Sequence, residues 1–138
     1  MHQILIAVAL AVVSTTALAQ TQEQIEWCFG PVVTQDQRIY ACTELIESAK
    51  ESSATKAAAY HHRGFAYENK GWYRQAIADY TQAIALKADN AGAYVNRAAA
   101  YENIGLPDEA IADYRAALNL NPTLDTPRDA LKRLGVTP

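Results

Sequence analysis

Two adjacent histidines are the residues of this chain that most resemble a metal site. His61 and His62 would point about 100° apart on a helix, so the pair cannot easily hold one ion. Helical metal sites prefer a second ligand three or four residues away, and alanine, glycine or phenylalanine fills those positions. We therefore predict two surface histidines, no metal and no cofactor. A metal carrier or an enzyme built on this pair is the alternative.

Four carboxylates could support acid–base chemistry, but they recur at a fixed interval. Glu68 and Asp79 return 34 residues later as Glu102 and Asp113. Acid–base catalysis needs carboxyl groups in different environments, whereas a repeated position provides the same environment twice. The chain also has no phosphate-binding glycine loop and no nucleophile elbow. We therefore predict that it is not an enzyme.

The first 19 residues have the pattern of a signal peptide. They contain no Asp, Glu, Lys or Arg, and the apolar run 4–13 is too short to cross a bilayer. Ala17-Leu18-Ala19 fits a signal peptidase site before Gln20. The pattern predicts that residues 1–19 are removed and that the remaining chain is periplasmic or secreted, without membrane insertion. A buried apolar helix is the alternative for this segment.

Two cysteines remain in the exported chain, Cys28 and Cys42. An even number of cysteines outside the cytoplasm favours a disulfide, and a pair of buried reduced thiols is the alternative. Two cysteines without neighbouring histidines do not make a zinc site, which normally has four ligands.

The charge distribution argues against binding to nucleic acid. The net charge is −3, and residues 20–56 carry six acidic and three basic residues, against nine of each in residues 57–138. The excess of acid therefore lies before residue 57, and the chain lacks the positive field that holds a phosphate backbone.

An internal repeat determines the expected fold. Residues 57–90 align with residues 91–124 at 16 identical positions out of 34. Each unit shows the three–four spacing of an amphipathic helix, and Gly71 and Pro107 are typical of helix ends and starts. One helix pair cannot bury its apolar face alone, so stacked pairs are expected. The sequence predicts an all-α solenoid of helical hairpins.

The period and its key residues resemble the tetratricopeptide repeat (TPR) family. The pattern comprises Tyr60, Gly64, Tyr67, Ala76, Tyr80 and Ala83, followed by Tyr94, Ala98, Tyr101, Ala110, Tyr114, Ala117 and Pro122. Ala98 replaces the commoner glycine, and Ala88 the usual proline. The resemblance implies a non-catalytic module that binds a protein or peptide. Overall, the chain is also similar to small exported TPR proteins of Gram-negative bacteria.

The flanks of the two repeats read as incomplete units. Residues 20–56 are expected to form a degenerate repeat, in which Thr21 and Thr34 cap two helices and the disulfide joins them. Residues 125–138 are expected to form a C-terminal capping helix and tail, whose polar residues Arg128, Asp129, Lys132 and Arg133 would solvate the end of the array.

A spacing of sixteen residues separates Arg63 from Asp79 and Arg97 from Asp113. This spacing spans the turn between the two helices of one unit. It predicts an ion pair inside each repeat, and two solvated charges are the alternative.

The family resemblance places a ligand on the concave face, along the first helices of the repeats. The partner-binding residues that it implies are His61, His62, Phe65, Glu68, Asn69, Val95, Asn96, Ala99, Glu102 and Asn103. His61 and Phe65 occupy the places where some members use Lys and Asn to hold a peptide carboxylate. Binding of a C-terminal carboxylate is therefore not expected. Glu68-Asn69 and Glu102-Asn103 would form an acidic and amide row along this face, so a neutral-to-basic, partly apolar ligand is expected. Glu68 and Glu102 could instead be solvated or serve helix contacts.

A second hypothesis is that the protein is a structural subunit. About two and a half repeats bury only a modest core, so homo-oligomer formation or stacking into a larger envelope assembly is the alternative to partner binding.

Overall fold

The computed structural model describes residues 21–138, and every regular element in that range is a helix. The signal peptide predicted for residues 1–19 and its cleavage site lie outside the described residues. None of the described helices is long and apolar enough to cross a membrane. The helices are α1 (21–29), α2 (Gln35–Glu47), α3 (Ser53–Asn69), α4 (Tyr73–Leu86), α5 (Ala91–Asn103), α6 (Pro107–Leu120) and α7 (Asp125–Arg133).

Glycines end three of the helices. Gly71, Gly105 and Gly135 have φ of 73°, 77° and 75°, a left-handed conformation that residues with a Cβ rarely adopt. The amide that follows each of the first two glycines bonds back to the helix, as Trp72 N–H to the Tyr67 carbonyl and Leu106 N–H to the Tyr101 carbonyl. This arrangement turns the chain sharply, so that each second helix folds back on the first.

Most of the helix starts that the sequence predicts from capping residues are present in the structure. Thr34 and Gln37 form the predicted capping box of α2, and Pro107 is the first residue of α6. Thr21 is already helical, so the cap predicted at that residue is wrong. The domain boundaries drawn from the repeat period stay a prediction.

Helices that follow each other along the chain pack as neighbours from α2 to α7. Contacts also link alternate helices. Phe29 of α1 lies against His62 of α3, α3 contacts α5, and Glu102 of α5 bonds Arg133 of α7. Therefore α1, α3, α5 and α7 form an inner layer, and α2, α4 and α6 form an outer layer. The predicted all-α array of stacked helix pairs is confirmed.

Small residues bring the two layers into close contact. A Cβ placed on Gly64 of α3 would lie 2.9 Å from the Tyr80 ring and 3.3 Å from the Ala76 carbonyl oxygen. Tyr80 and Ala76 of α4 are fully buried. At the C-terminal end, α7 covers this interior with Ala130 and Leu131, which pack in one cluster with Ala98, Ala110 and Tyr114. The predicted capping helix is therefore present.

Leucine at Ala76 should destabilise the protein. Ala76 is fully buried at the contact between α3 and α4, so three additional carbons must displace neighbours, at about 1–3 kcal/mol. Chemical denaturation measures the loss. Ala78 is exposed on the same helix, so Ala78→Leu is the matched control and should change stability little. Equal stabilities for the two variants would show that the helix pair is not tightly packed at Ala76.

Candidate functional site

A partly buried arginine joins three helices in the first full repeat. The Arg63 guanidinium on α3 binds the Asp79 carboxylate of α4 twice, with Nε–Oδ2 at 2.7 Å and Nη2–Oδ1 at 2.9 Å. Its Nη1 also donates to Thr43 Oγ1 on α2 at 2.8 Å. The hydrogen bond from the guanidinium to Asp79 is the largest reason why the Arg63 pKa is raised. The predicted ion pair is confirmed, with a buried Asp79 and an Arg63 side chain that is 16% exposed.

The second repeat contains the same arrangement. Arg97 on α5 binds Asp113 of α6 through Nε and Nη2, both at 2.7 Å, and donates to Thr81 of α4 at 3.0 Å. Thr81 accepts the same hydrogen bond from Arg97 that Thr43 accepts from Arg63. The two threonines are 38 rather than 34 residues apart in sequence. The 34-residue period therefore could not reveal this third partner.

The inner face of α3 can be located from one contact with α5. His61 Nε2 lies 3.0 Å from Asn96 Nδ2. Phe65 and Asn69 follow His61 by four and eight residues, so they share its side of the helix. On α5, Val95, Ala99, Glu102 and Asn103 form the corresponding stripe. The structure thus places the predicted binding residues side by side, and their use in binding stays a prediction.

Glu68 of α3 forms a hydrogen bond with the paired helix α4. Its Oε2 accepts a hydrogen bond from the Tyr80 hydroxyl at 2.7 Å. Burial, followed by the bond to Glu68, raises the pKa of Tyr80. The ring of His61 lies 5.6 Å from the Tyr80 ring, and burial lowers the His61 pKa. Glu68 therefore serves a helix contact, which was the alternative interpretation of its recurrence.

Glu102 repeats this contact and gains a cationic partner. The Tyr114 hydroxyl donates to Glu102 Oε1 at 2.6 Å. Arg133 of α7 donates to both carboxylate oxygens, at 2.8 and 2.9 Å, and these bonds are the main reason why the Glu102 pKa is lowered. Glu102 therefore keeps its place in the predicted acidic row, but its charge is paired with that of Arg133. Likewise, Arg133 is not merely a solvating residue of the capping helix.

His62 packs against the N-terminal helix pair. Its ring meets Phe29 edge-on at 5.2 Å, and Nδ1 lies 3.4 Å from Arg38 Nη1. Burial, followed by the neighbouring charges of His61 and Arg38, lowers the His62 pKa to about 4. Both histidines are therefore neutral near pH 7. Within residues 21–138, no three His, Cys, Asp or Glu side chains gather as a metal site.

The inner face contains one large exposed apolar group. Phe65 is 44% exposed, and Asn69 and Asn103 are exposed one turn further along their helices. The histidines beside this ring are uncharged, and the carboxylates are engaged with tyrosines. Such a surface is suited to non-covalent contact with an apolar side chain flanked by amide hydrogen bonds, rather than to proton transfer.

Comparisons with protein families agree with the repeat pattern. A tetratricopeptide repeat family model matches residues 91–124, and a TPR repeat model matches residues 70–105. No curated protein sequence matches the chain.

Solved structures of helical repeats resemble about three quarters of the chain. The chain is 32% identical to the TPR domain of Arabidopsis OM64, covering 73% of this chain and 80% of that one, with a TM-score of 0.67. It is 27% identical to the second TPR domain of human RPAP3, solved in complex with the HSP70 peptide SGPTIEEVD, with 73% and 81% coverage and a TM-score of 0.66.

Proposed function

The chain belongs to the tetratricopeptide repeat family, and on this premise we propose that it is a non-catalytic module that binds a protein or peptide along its inner face. The related human RPAP3 domain was solved with a bound peptide, which supports this class of ligand. The inner face is formed by α3 and α5, which contact each other directly.

Phe65 is the observation that carries the proposal. Its ring is large and apolar, and it remains 44% exposed in the middle of the inner face. Burying a fully exposed phenylalanine side chain contributes about 1.5–3 kcal/mol, so covering the exposed 44% of Phe65 contributes about 1 kcal/mol. Buried aromatic residues often dominate the energy of an interface. A ligand that covers this ring with an apolar side chain would remove that exposed surface from water.

The ligand is expected to be neutral or basic rather than acidic. The peptide bound by the RPAP3 domain contains two glutamates and an aspartate. Here, His61 is uncharged near neutral pH, and Arg133 is paired with Glu102. Glu68 has a hydroxyl partner but no cationic partner among the described residues. The inner face therefore offers little attraction to acidic peptides and a modest attraction to basic ones.

We also propose that the protein acts outside the cytoplasm, in the periplasm of a Gram-negative bacterium or as a secreted protein. The signal-peptide pattern of residues 1–19 supports this location. The bonded pair Cys28–Cys42 is also typical of oxidising compartments.

Alanine at Phe65 should weaken binding of the partner by about 1–2 kcal/mol or more, because the variant removes the central apolar contact. The partner is first isolated on the immobilised protein, and its affinity is then measured by calorimetry. Leu86 is 41% exposed at the end of α4, in the outer layer. Leu86→Ala is therefore the matched control and should leave the affinity unchanged.

The opposite pattern would contradict the proposal. If Phe65→Ala binds normally while Leu86→Ala does not, the outer helices carry the interaction. A mass that rises with protein concentration in size-exclusion chromatography, with no partner retained, would favour the structural-subunit hypothesis.

A further inference from the structure

A second surface lies on the N-terminal helix pair, between α1 and α2. Five residues line a cleft of about 400 Å³ between α1 and α2, which we name the α1–α2 cleft: Glu23, Gln24, Trp27, Tyr40 and Glu44. Glu23 and Trp27 are four residues apart on α1, and Tyr40 and Glu44 are four residues apart on α2. Each helix therefore contributes one aromatic ring and one carboxylate to the same opening.

The carboxylates of this cleft have no cationic partner. The side-chain carboxylates of Glu23 and Glu44 form no ion pair or hydrogen bond within residues 21–138, whereas Asp36 on α2 is paired with Lys70. The cleft also lies in the segment 20–56, which holds the whole acidic excess of residues 20–138. Unpaired negative charge beside two aromatic rings attracts a cation through both Coulombic and cation–π interactions.

The disulfide holds the two walls of the cleft together. Cys28 directly follows Trp27, and Cys42 lies between Tyr40 and Glu44 in sequence. Their bond keeps the Cα atoms of the two helices 4.8 Å apart at this point. The cleft is therefore preorganised, which lowers the entropy cost of ordering its side chains around a ligand.

Apolar surface continues from the cleft along the α1–α2 loop. Trp27 also borders a neighbouring depression of about 430 Å³, which is lined by the loop residues Pro31, Val32 and Val33. Val32 is 91% exposed. A small quaternary amine would fill only the charged cleft, whereas a peptide could place a basic side chain in it and an apolar side chain on the loop. The continuous surface therefore favours a peptide.

We propose that the α1–α2 edge is a second binding surface, which takes a protein segment carrying a basic residue next to an apolar one. The basic side chain lies between Trp27 and Tyr40 and faces Glu23 and Glu44. The adjacent apolar residue covers Val32. This surface is separate from the inner face around Phe65.

Tryptophan fluorescence can test the surface directly. The chain has two tryptophans, so a Trp72→Phe background leaves Trp27 as the only reporter. The probe is the blocked dipeptide acetyl-Arg-Leu-amide, and its matched control is acetyl-citrulline-Leu-amide, which has a similar shape and no charge. We expect a saturable change with the arginine peptide and binding about tenfold weaker or more with the citrulline peptide.

Charge removal should identify the cleft as the site. The double variant Glu23→Gln, Glu44→Gln should bind the arginine peptide about three- to tenfold more weakly, because each exposed ion pair contributes modestly. Asp89 and Glu109 are exposed far along the chain, so Asp89→Asn with Glu109→Gln removes equal charge as a control and should bind normally. Circular dichroism confirms that all variants remain helical.

Three results would overturn the proposal. The first is the absence of a saturable fluorescence change up to about 10 mM peptide, a concentration at which binding is too weak to be useful. The second is equal binding of the arginine and citrulline peptides, and the third is equal binding of the arginine peptide to the glutamine double variant and to its charge control. Phe65→Ala should leave this titration unchanged, so the fate of the inner-face proposal can be judged separately.

Discussion

Replacing Arg63 with methionine is expected to lower the free energy of unfolding by about 3–5 kcal/mol. The variant leaves the Asp79 carboxylate, a residue only 5% exposed, without the two hydrogen bonds that the guanidinium donates to it. The Thr43 hydroxyl on α2 loses the bond that it accepts from the guanidinium, although it still donates to the Ile39 carbonyl. A buried unpaired charge is much more costly than the loss of a surface ion pair. Urea denaturation followed by circular dichroism measures the difference.

The control for this prediction is an arginine that forms no ion pair with a buried carboxylate among the described residues. Arg74 is exposed on α4, so Arg74→Met removes the same charge and should change stability by less than about 0.5 kcal/mol. The double variant Arg63→Met, Asp79→Leu should recover much of the loss, because apolar pairs often replace buried ion pairs without penalty. A single variant as stable as the wild type would show that the pair is hydrated in solution.

Reduction of the Cys28–Cys42 disulfide is expected to lower the free energy of unfolding by about 2–4 kcal/mol. The bond closes a loop of 14 residues, and in the chain-entropy model it restricts the unfolded state in proportion to the logarithm of that length. It also joins the degenerate pair α1–α2, which contributes only Cys28, Ala41, Cys42 and Leu45 to the buried cluster that it shares with Ala59 of α3. Denaturation with and without reductant gives the effect.

A serine double variant separates the bond from the reductant. Cys28→Ser with Cys42→Ser should show the lower stability in both conditions and no response to reductant. Helices α3 and α4 separate the Arg97–Asp113 pair from α1 and α2, so that ion pair should remain intact. Unfolding is therefore expected to begin at the N-terminal helix pair. Full stability of the reduced protein, or free thiols in the native protein, would contradict the prediction.

Much of the electrostatic character of the inner face could not be predicted from the sequence. Arg133 and Glu102 are 31 residues apart, and no period of the repeat relates them. Their bond exists because α7 packs across the end of α5 and α6. The recurrence of Glu68 and Glu102 predicts two acidic groups, but it cannot show that Arg133 pairs with Glu102 or that Tyr80 of the paired helix bonds Glu68.

The sequence by itself determined the helix pairs, their glycine ends and the ion pairs within each repeat, because these depend on residues close in the chain that recur every 34 positions. Only the tertiary structure decided which side chains remain available to a ligand. In the folded array, His62 contacts Phe29 and Arg38, and Glu102 pairs with Arg133. Phe65 remains exposed, and the α1–α2 cleft remains open. Partners from different repeats meet only when the stack forms, and local periodicity contains no information on the contacts that stacking creates.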